Sequence, residues 1–96
     1  MFIAMYEFKV KAGMEEQFQK AWAERTREII IENRGLGSRL HKTDDGRFIA
    51  YAQWPSREIW ENAQPSDTEA RKIMKETTTA IETIYRLDLL DDLFVG

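Results

Sequence analysis

The sequence contains no cysteine, and only one histidine and two prolines occur among its 96 residues. The absence of cysteine excludes disulfide bonds, thiolate nucleophiles and cysteine-ligated zinc. A single histidine with scattered carboxylates is weak support for a metal site. No phosphate-binding glycine loop or Ser-His-Asp arrangement is visible either, so we expect no metal and no other cofactor.

Long apolar runs and clusters of positive charge are also missing. No apolar run approaches the roughly 20 residues that a membrane-spanning helix needs. The net charge is −3 and Lys and Arg form no stripe, which argues against a nucleic-acid partner. The apolar start, residues 1–10, is short and lacks a basic flank, so we expect no signal peptide and no membrane contact. A cytoplasmic protein is the default expectation.

The composition is typical of a globular protein, with 43% apolar and 32% charged residues. We expect a single domain over residues 1–96. So small a domain leaves much of its surface uncovered, which makes a second copy of the chain a plausible partner.

The first third of the sequence predicts a strand followed by a helix. Residues 2–10 alternate between two faces, as a strand does. After a turn at Gly13, apolar residues recur at helical spacing to about residue 33, although Arg25 and Thr26 interrupt the stripe. Gly35 is predicted to end this helix. The strand face that we expect to point at the helices carries Phe2, Ala4, Tyr6, Phe8 and Val10.

Residues 36–54 predict a hairpin closed by a three-residue loop, Asp44-Asp45-Gly46. Thr43 then faces Arg47, and this register sorts apolar with apolar side chains. One face carries Leu36, Ser38, Leu40, Phe48, Ala50, Ala52 and Trp54. The opposite face carries Arg39, His41, Ile49, Tyr51 and Gln53.

The remaining sequence predicts two helical segments and a last strand. Ser56 is the expected N-cap of a short helix, and Ser66 with Glu69 has the spacing of a capping box for the next. Residues 83–95 alternate and predict the final strand. The second of these helices is expected to carry Ile73, Met74, Thr77, Ala80 and Ile81 on one stripe.

The predicted order β-α-β-β-α-β indicates an α+β fold of the ferredoxin-like type, a four-stranded antiparallel sheet with the helices on one face. The other face, with His41, Ile49 and Tyr51, is too apolar and aromatic to remain in water. We therefore expect a homodimer in which two sheets face each other. The acidic segment 88–92 is interpreted as a solvated strand edge; alternatively, it crosses to the partner subunit.

Two stretches carry a resemblance to a known family: "FKVKAGMEEQFQKAW" and "GLGSRLHKTDDGRFIAYAQWPSREIWE". Together they resemble the antibiotic biosynthesis monooxygenase (ABM) family of the dimeric α+β barrel superfamily. The resemblance covers nearly the whole chain and is densest over residues 35–61. It implies a dimeric α+β barrel with a ligand cavity between sheet and helices.

The resemblance also implies candidate activities. Several relatives oxygenate aromatic polyketides or quinols without metal or flavin, because the deprotonated substrate itself reduces oxygen. Another branch degrades haem with an Asn on the first strand and a His on the second helix. This chain has Met5, Tyr6 and Glu7 on the first strand and no His in residues 56–82, which disfavours haem degradation. Quinol-oxidising relatives often have a His there too, so its absence also weakens that expectation.

Aromatic residues are the candidates for a cavity wall. Trp54 corresponds to the Trp that closes the third strand in active relatives, although it equally fits a packed core. Trp22 and Phe18 are most simply core residues that also line any sheet–helix cavity. Trp60 either caps the cavity or lies on the surface, and Tyr6 is a further lining candidate.

Polar candidates are weaker. His41 is a candidate general base, but its predicted direction favours a dimer-interface role. Glu7 is a candidate base only if it points inward; an outward Glu7 paired with Arg39 or Arg86 is favoured. Arg39, Tyr51 and Gln53 either bind a polar ligand group or form an interface network.

The sequence therefore predicts a small ABM-type homodimer, an oxygenase without cofactor that acts on a small aromatic or quinol-like compound and molecular oxygen. The alternative is a ligand-binding or structural dimer without enzymatic activity on the same fold.

Overall fold

A computed structural model describes residues 1–94. The sheet is antiparallel throughout, with strand order β2-β3-β1-β4. This is the predicted ferredoxin-like topology. The elements are β1 (Phe2–Val10), α1 (Glu15–Asn33), β2 (Gly37–Lys42), β3 (Phe48–Trp54), α2 (Arg57–Glu61), α3 (Glu69–Thr77) and β4 (Thr78–Asp88).

The hairpin between β2 and β3 has the predicted register. The Thr43 N–H donates to the Arg47 carbonyl at 2.8 Å, and Gly46 adopts a φ of 86° at the turn. Because Gly lacks a Cβ, this left-handed conformation costs it little. Phe48, the first residue of β3, consequently faces the helices and is buried.

The end of α1 differs from the prediction. The residue with left-handed conformation is Arg34, with a φ of 64°, and not Gly35. The N–H groups of Arg34 and Gly35 both donate to the Ile29 carbonyl. Gly35 is needed for space instead, because a Cβ there would lie 2.9 Å from Cγ2 of Ile29.

Each end of α3 also differs from the prediction. The N-cap is Thr68, whose hydroxyl accepts from the Arg71 N–H, whereas Ser66 donates to the Glu32 carboxylate on α1. The helix ends at Thr77, so the predicted continuation of its stripe to Ile81 is wrong. β-Branched residues favour extended backbone, and the chain has a run of three threonines at this point, residues 77–79.

β4 begins five residues earlier than predicted and ends at Asp88. Asp88 pairs with Phe2, the first residue of β1. The Leu89 N–H still donates to the Met1 carbonyl at 3.0 Å, and residues 90–94 continue outside the strand. The predicted residue Val95 lies outside the described residues. No helix within residues 1–94 is long and apolar enough to cross a membrane.

The helix-facing side of the sheet holds two groups of buried residues. The first joins the sheet to α1 and α3 and comprises Phe8, Phe18, Ala21, Phe48, Ala50 and Met74. The second, beside α2, comprises Phe2, Ala4, Ala52 and Trp54. Tyr6 packs against both groups. The core is therefore divided at the centre of the sheet.

Gly35→Ala is expected to destabilise the fold by about 1–3 kcal/mol, because the new methyl group overpacks against Ile29. The cost should shrink in an Ile29→Ala background, which removes the clashing Cγ2 atom. Urea unfolding of the single and double variants measures both values.

The control is Gly37→Ala. Gly37 has a φ of 109° but no atom within 4 Å of a Cβ position, so its cost is backbone strain alone. That cost should be the same with Ile29 or Ala at residue 29. An equal cost of Gly35→Ala in the two backgrounds would show that the steric explanation is wrong.

Candidate active site

A cavity of about 410 Å³ lies between the helix-facing side of the sheet and the helices α1 and α3. It occupies the region between the two groups of buried residues on the helix-facing side of the sheet. The floor is made by small side chains of β3, since Ala50 and Ala52 face the helices there. The volume falls in the range of small-molecule sites. Its aromatic walls are Tyr6, Phe8, Trp22 and Trp54.

Trp54 forms one wall of this cavity. It is the last residue of β3 and pairs with Phe2 on β1. The side chain is 5% exposed, yet its Nε1–H has no hydrogen-bond partner among residues 1–94. Leaving a buried donor unsatisfied costs about 1–3 kcal/mol. An acceptor oxygen on a bound ligand would remove that cost.

Ser38 supplies a second unpartnered polar atom at the same wall. Its Oγ is buried without a hydrogen-bond partner in residues 1–94. Ser38 lies on β2 opposite Ala52, two residues before Trp54 on the neighbouring strand. Both side chains line the cavity. The wall of the cavity therefore contains two buried polar atoms, one hydroxyl and one indole nitrogen, that have no partner in residues 1–94.

Tyr6 lies at the centre of β1, and its hydroxyl accepts a hydrogen bond of 2.7 Å from Nε1 of Trp60. Burial raises the pKa of the Tyr6 hydroxyl above its usual 10.0, although the bond from Trp60 and the charge of Arg86 act in the opposite direction. Tyr6 therefore stays protonated at neutral pH. Trp60 itself packs on Phe2, with ring centroids 5.1 Å apart, and positions Tyr6 from behind the cavity.

The two lining candidates on α1 have different positions. Trp22 lines the cavity. Phe18 is fully buried within the core, with its ring 5.0 Å from Phe8 and 5.7 Å from Phe48. Phe18 is therefore not a lining residue, and it packs against Phe8, which is one.

Arg25 is a wall residue that the sequence did not single out as functional. It is 6% exposed and lies 3.0 Å from the Glu28 carboxylate, while Thr68 donates to the same carboxylate at 2.7 Å. The bond from Thr68 and the neighbouring Arg25 hold the pKa of Glu28 below its usual value. In the sequence, the interruption of the apolar stripe of α1 at Arg25 and Thr26 is the feature that could have identified Arg25 as a wall residue.

Most polar candidates lie on the other face of the sheet. His41 is exposed on β2, and its Nδ1 lies 3.3 Å from the Ile49 carbonyl. Arg39 and Tyr51 pair across the hairpin on that same face. Gln53 is half-buried and contributes to the cavity wall as well. The structure therefore separates His41 from the aromatic residues of the cavity.

Glu7 points to the outer face, as favoured, but its partner differs from the prediction. It accepts a hydrogen bond of 2.9 Å from Arg47, which follows the hairpin turn, and not from Arg39 or Arg86. Arg86 instead lies over the Trp60 ring at 5.3 Å. Because Glu7 is engaged on the outer face, it cannot reach a ligand in the cavity.

The cavity offers haem iron no histidine ligand. The only histidine of the sequence is His41, on the outer face, so no imidazole of this chain can reach iron in the cavity. The Tyr6 hydroxyl is already bonded by Trp60. In residues 1–94, no group of three or more His, Asp or Glu side chains could hold a metal ion.

Tyr6→Phe is expected to change how stability depends on pH. Because the folded-state pKa of Tyr6 lies above the unfolded value of 10.0, its contribution is fully present below about pH 10 and is lost as the pH rises through the folded-state pKa. The free energy of unfolding should fall less steeply above pH 10 in the variant. Urea titrations at several pH values measure it.

Ile31→Ala is the control, since Ile31 is 83% exposed on α1 and carries no titratable group. It should keep the wild-type slope. If Tyr6→Phe also kept that slope, Tyr6 would not be the group that titrates with folding.

Solved structures of other proteins share this architecture. A protein from Deinococcus radiodurans assigned to the antibiotic biosynthesis monooxygenases superposes with a TM-score of 0.75 at 14% identity, covering 100% of this chain and 99% of that one. SnoaB, a cofactor-independent oxygenase from Streptomyces nogalater, gives 0.75 at 16% identity, with 96% and 95% covered. The haem degrader MhuD from Mycobacterium tuberculosis gives 0.69 at 15% identity, with 98% and 100% covered.

These identities are low, so the superpositions establish the fold alone. No curated protein matches the sequence. The sequence model of the family "Antibiotic biosynthesis monooxygenase" does match, over residues 1–75. The matched region contains β1 to α2 and most of α3, and with them most of the cavity wall. The chain therefore belongs to the antibiotic biosynthesis monooxygenase family.

Proposed function

We propose that this protein is an oxygenase that oxidises a small aromatic or quinol-like compound with molecular oxygen and without a metal or flavin. The observation that carries the proposal is the unpartnered Nε1–H of Trp54 in the wall of an apolar cavity. Family membership and the fold shared with SnoaB support it. Cytoplasmic location stays a prediction.

In the proposed reaction the deprotonated substrate itself reduces oxygen, so the protein need not supply a redox cofactor. A substrate with an activated CH₂ group loses a proton, and the resulting anion gives an electron to O₂. Recombination forms a C–O bond as a peroxide, and loss of water leaves a carbonyl, so that R₂CH₂ and O₂ become R₂C=O and H₂O. The cavity would exclude bulk water and hold the reactants together.

Specific side chains would stabilise the anionic intermediate. The Trp54 N–H and the Ser38 hydroxyl are donors without a competing partner in residues 1–94, and such fixed donors favour developing negative charge on oxygen. Neither carboxylate nor imidazole is among the lining residues of the described chain. We therefore infer that the substrate loses its proton to bulk water before it binds and enters the cavity as the anion.

Trp54→Phe tests the proposal, because it keeps an aromatic ring and removes the N–H. With dihydroxynaphthalenes and anthrones, the wild-type protein should consume oxygen faster than buffer. The variant should be slower by roughly 100-fold, the typical effect of removing one such donor. An oxygen electrode measures the rates, and circular dichroism checks folding.

Ile31→Ala is the control for that experiment, since Ile31 is 83% exposed on α1 and does not line the cavity. It should keep the wild-type rate. Binding of these compounds without oxygen uptake would contradict the oxygenase proposal and favour the non-enzymatic ligand-binding alternative.

We also propose that the protein is a homodimer that pairs through the outer faces of its sheets. That face exposes 57% of Tyr85 and 41% of Leu87, and half-buried Met5, Ile49 and Tyr51 lie beside them. Apolar surface of this kind marks an interaction site. A second copy of the same face would cover it and leave the cavity, on the opposite side, accessible.

Leu87→Asp is expected to weaken the dimer, because it places a charge in the proposed interface. Sedimentation should give twice the 11.3 kDa chain mass for the wild type and a larger monomer fraction for the variant. Ile31→Asp, at an 83% exposed site on α1, should leave the dimer intact. A monomeric wild type at micromolar concentration would refute the dimer.

A further inference from the structure

The cavity contains an unusual balance of charge. In the described chain its lining residues include Arg25, Arg71 and Lys75 and no aspartate or glutamate. The protein as a whole has the opposite balance, with 17 acidic and 14 basic residues. The excess of positive charge is therefore a property of the cavity and not of the composition.

Only two of these three cations are available to a ligand. Arg25 is buried and neutralised by Glu28 at 3.0 Å. Arg71 and Lys75 lie one turn apart on the same side of α3, and neither forms an ion pair with any residue in 1–94. Like charges at this spacing repel each other. An anion between them would relieve that repulsion.

The neutral donors lie toward the other end of the sheet. Trp54 pairs with Phe2, at the beginning of β1. Lys75 is in the last turn of α3, which leads into β4 where Thr78 pairs with Val10, at the end of β1. The cavity thus has a cationic end near α3 and a neutral donor end at Trp54, with aromatic and alanine walls between them.

We propose that the ligand of this cavity is an aromatic carboxylate. Its carboxylate binds Arg71 and Lys75, its ring system lies against Tyr6 and Trp22, and an oxygen at the far end accepts from the Trp54 N–H. An arginine guanidinium suits a carboxylate through paired hydrogen bonds, and a lysine adds a point charge. This ligand class rests on the proposed function only in that the same compound would be the oxygenase's substrate.

Binding is measured without turnover, by quenching of tryptophan fluorescence under nitrogen. The probes are 1-hydroxy-2-naphthoate and its neutral amide, which has nearly the same shape. The wild-type protein should bind the acid on the order of tenfold more tightly than the amide at low salt. Added salt should reduce this preference, because it screens the partly exposed cations.

Three variants of α3 test the assignment. Arg71→Gln and Lys75→Gln should each lower affinity for the acid and leave affinity for the amide unchanged. Lys72→Gln removes the same charge from an exposed position that does not line the cavity, and it should keep the preference. Equal affinity for acid and amide, or an equal loss in Lys72→Gln, would overturn the proposal.

The same measurements separate this proposal from the oxygenase proposal. Preferential binding of the acid without oxygen uptake under air would support the ligand class and contradict the oxidation. Oxygen uptake with neutral aromatics, with no preference for the acid, would support the oxidation and overturn the ligand class.

Discussion

The contact among Arg25, Glu28 and Thr68 joins helices α1 and α3 on one side of the sheet. A buried arginine is costly unless its charge is paired and its N–H groups are bonded, and Glu28 provides the pairing at 3.0 Å. The Glu28 carboxylate also accepts from Thr68, the residue that caps α3. The start of α3 is thereby tied to the middle of α1. Loss of any one of the three would leave another of them without its partner, while the apolar contact of Phe18 and Ala21 with Met74 would still join α1 to α3.

This contact holds α1 and α3 together above the sheet. The size of the helix-facing side chains of the sheet then determines where the gap between sheet and helices is filled. At the centre of the sheet three of the helix-facing residues beside Tyr6 are alanines, Ala4, Ala50 and Ala52, whose methyl groups extend only a short distance toward the helices. Larger aromatic residues stand at the two ends, Phe8 and Phe48 at one and Phe2 and Trp54 at the other. Close packing is therefore achieved at the ends, and the centre stays open as the cavity.

Local rules were sufficient to predict the hairpin and the two faces of the sheet. The Asp-Asp-Gly turn sets the register, and one register places every residue of β3 on its correct side. The junction of α3 and β4 was not predictable in the same way, because Thr77 to Ile81 fit the helical stripe as well as a strand. The pairing of Ile81 with Phe8 selects the strand for this segment, and that contact joins residues far apart in sequence. The role of Arg25 likewise depends on Thr68, which no local pattern connects with it.

The candidate site was predictable in kind but not in detail. Aromatic residues at helix-facing positions indicate either core or cavity wall, and composition cannot distinguish the two. What distinguishes them is the free volume and the missing partner of the Trp54 N–H, both of which arise from packing. The same packing turns His41 outward, and among residues 1–94 no imidazole or carboxylate side chain lines the cavity. A reaction in which the substrate itself reduces oxygen is compatible with such a site, because the protein then needs to supply donors, cations and a dry apolar volume rather than a catalytic base.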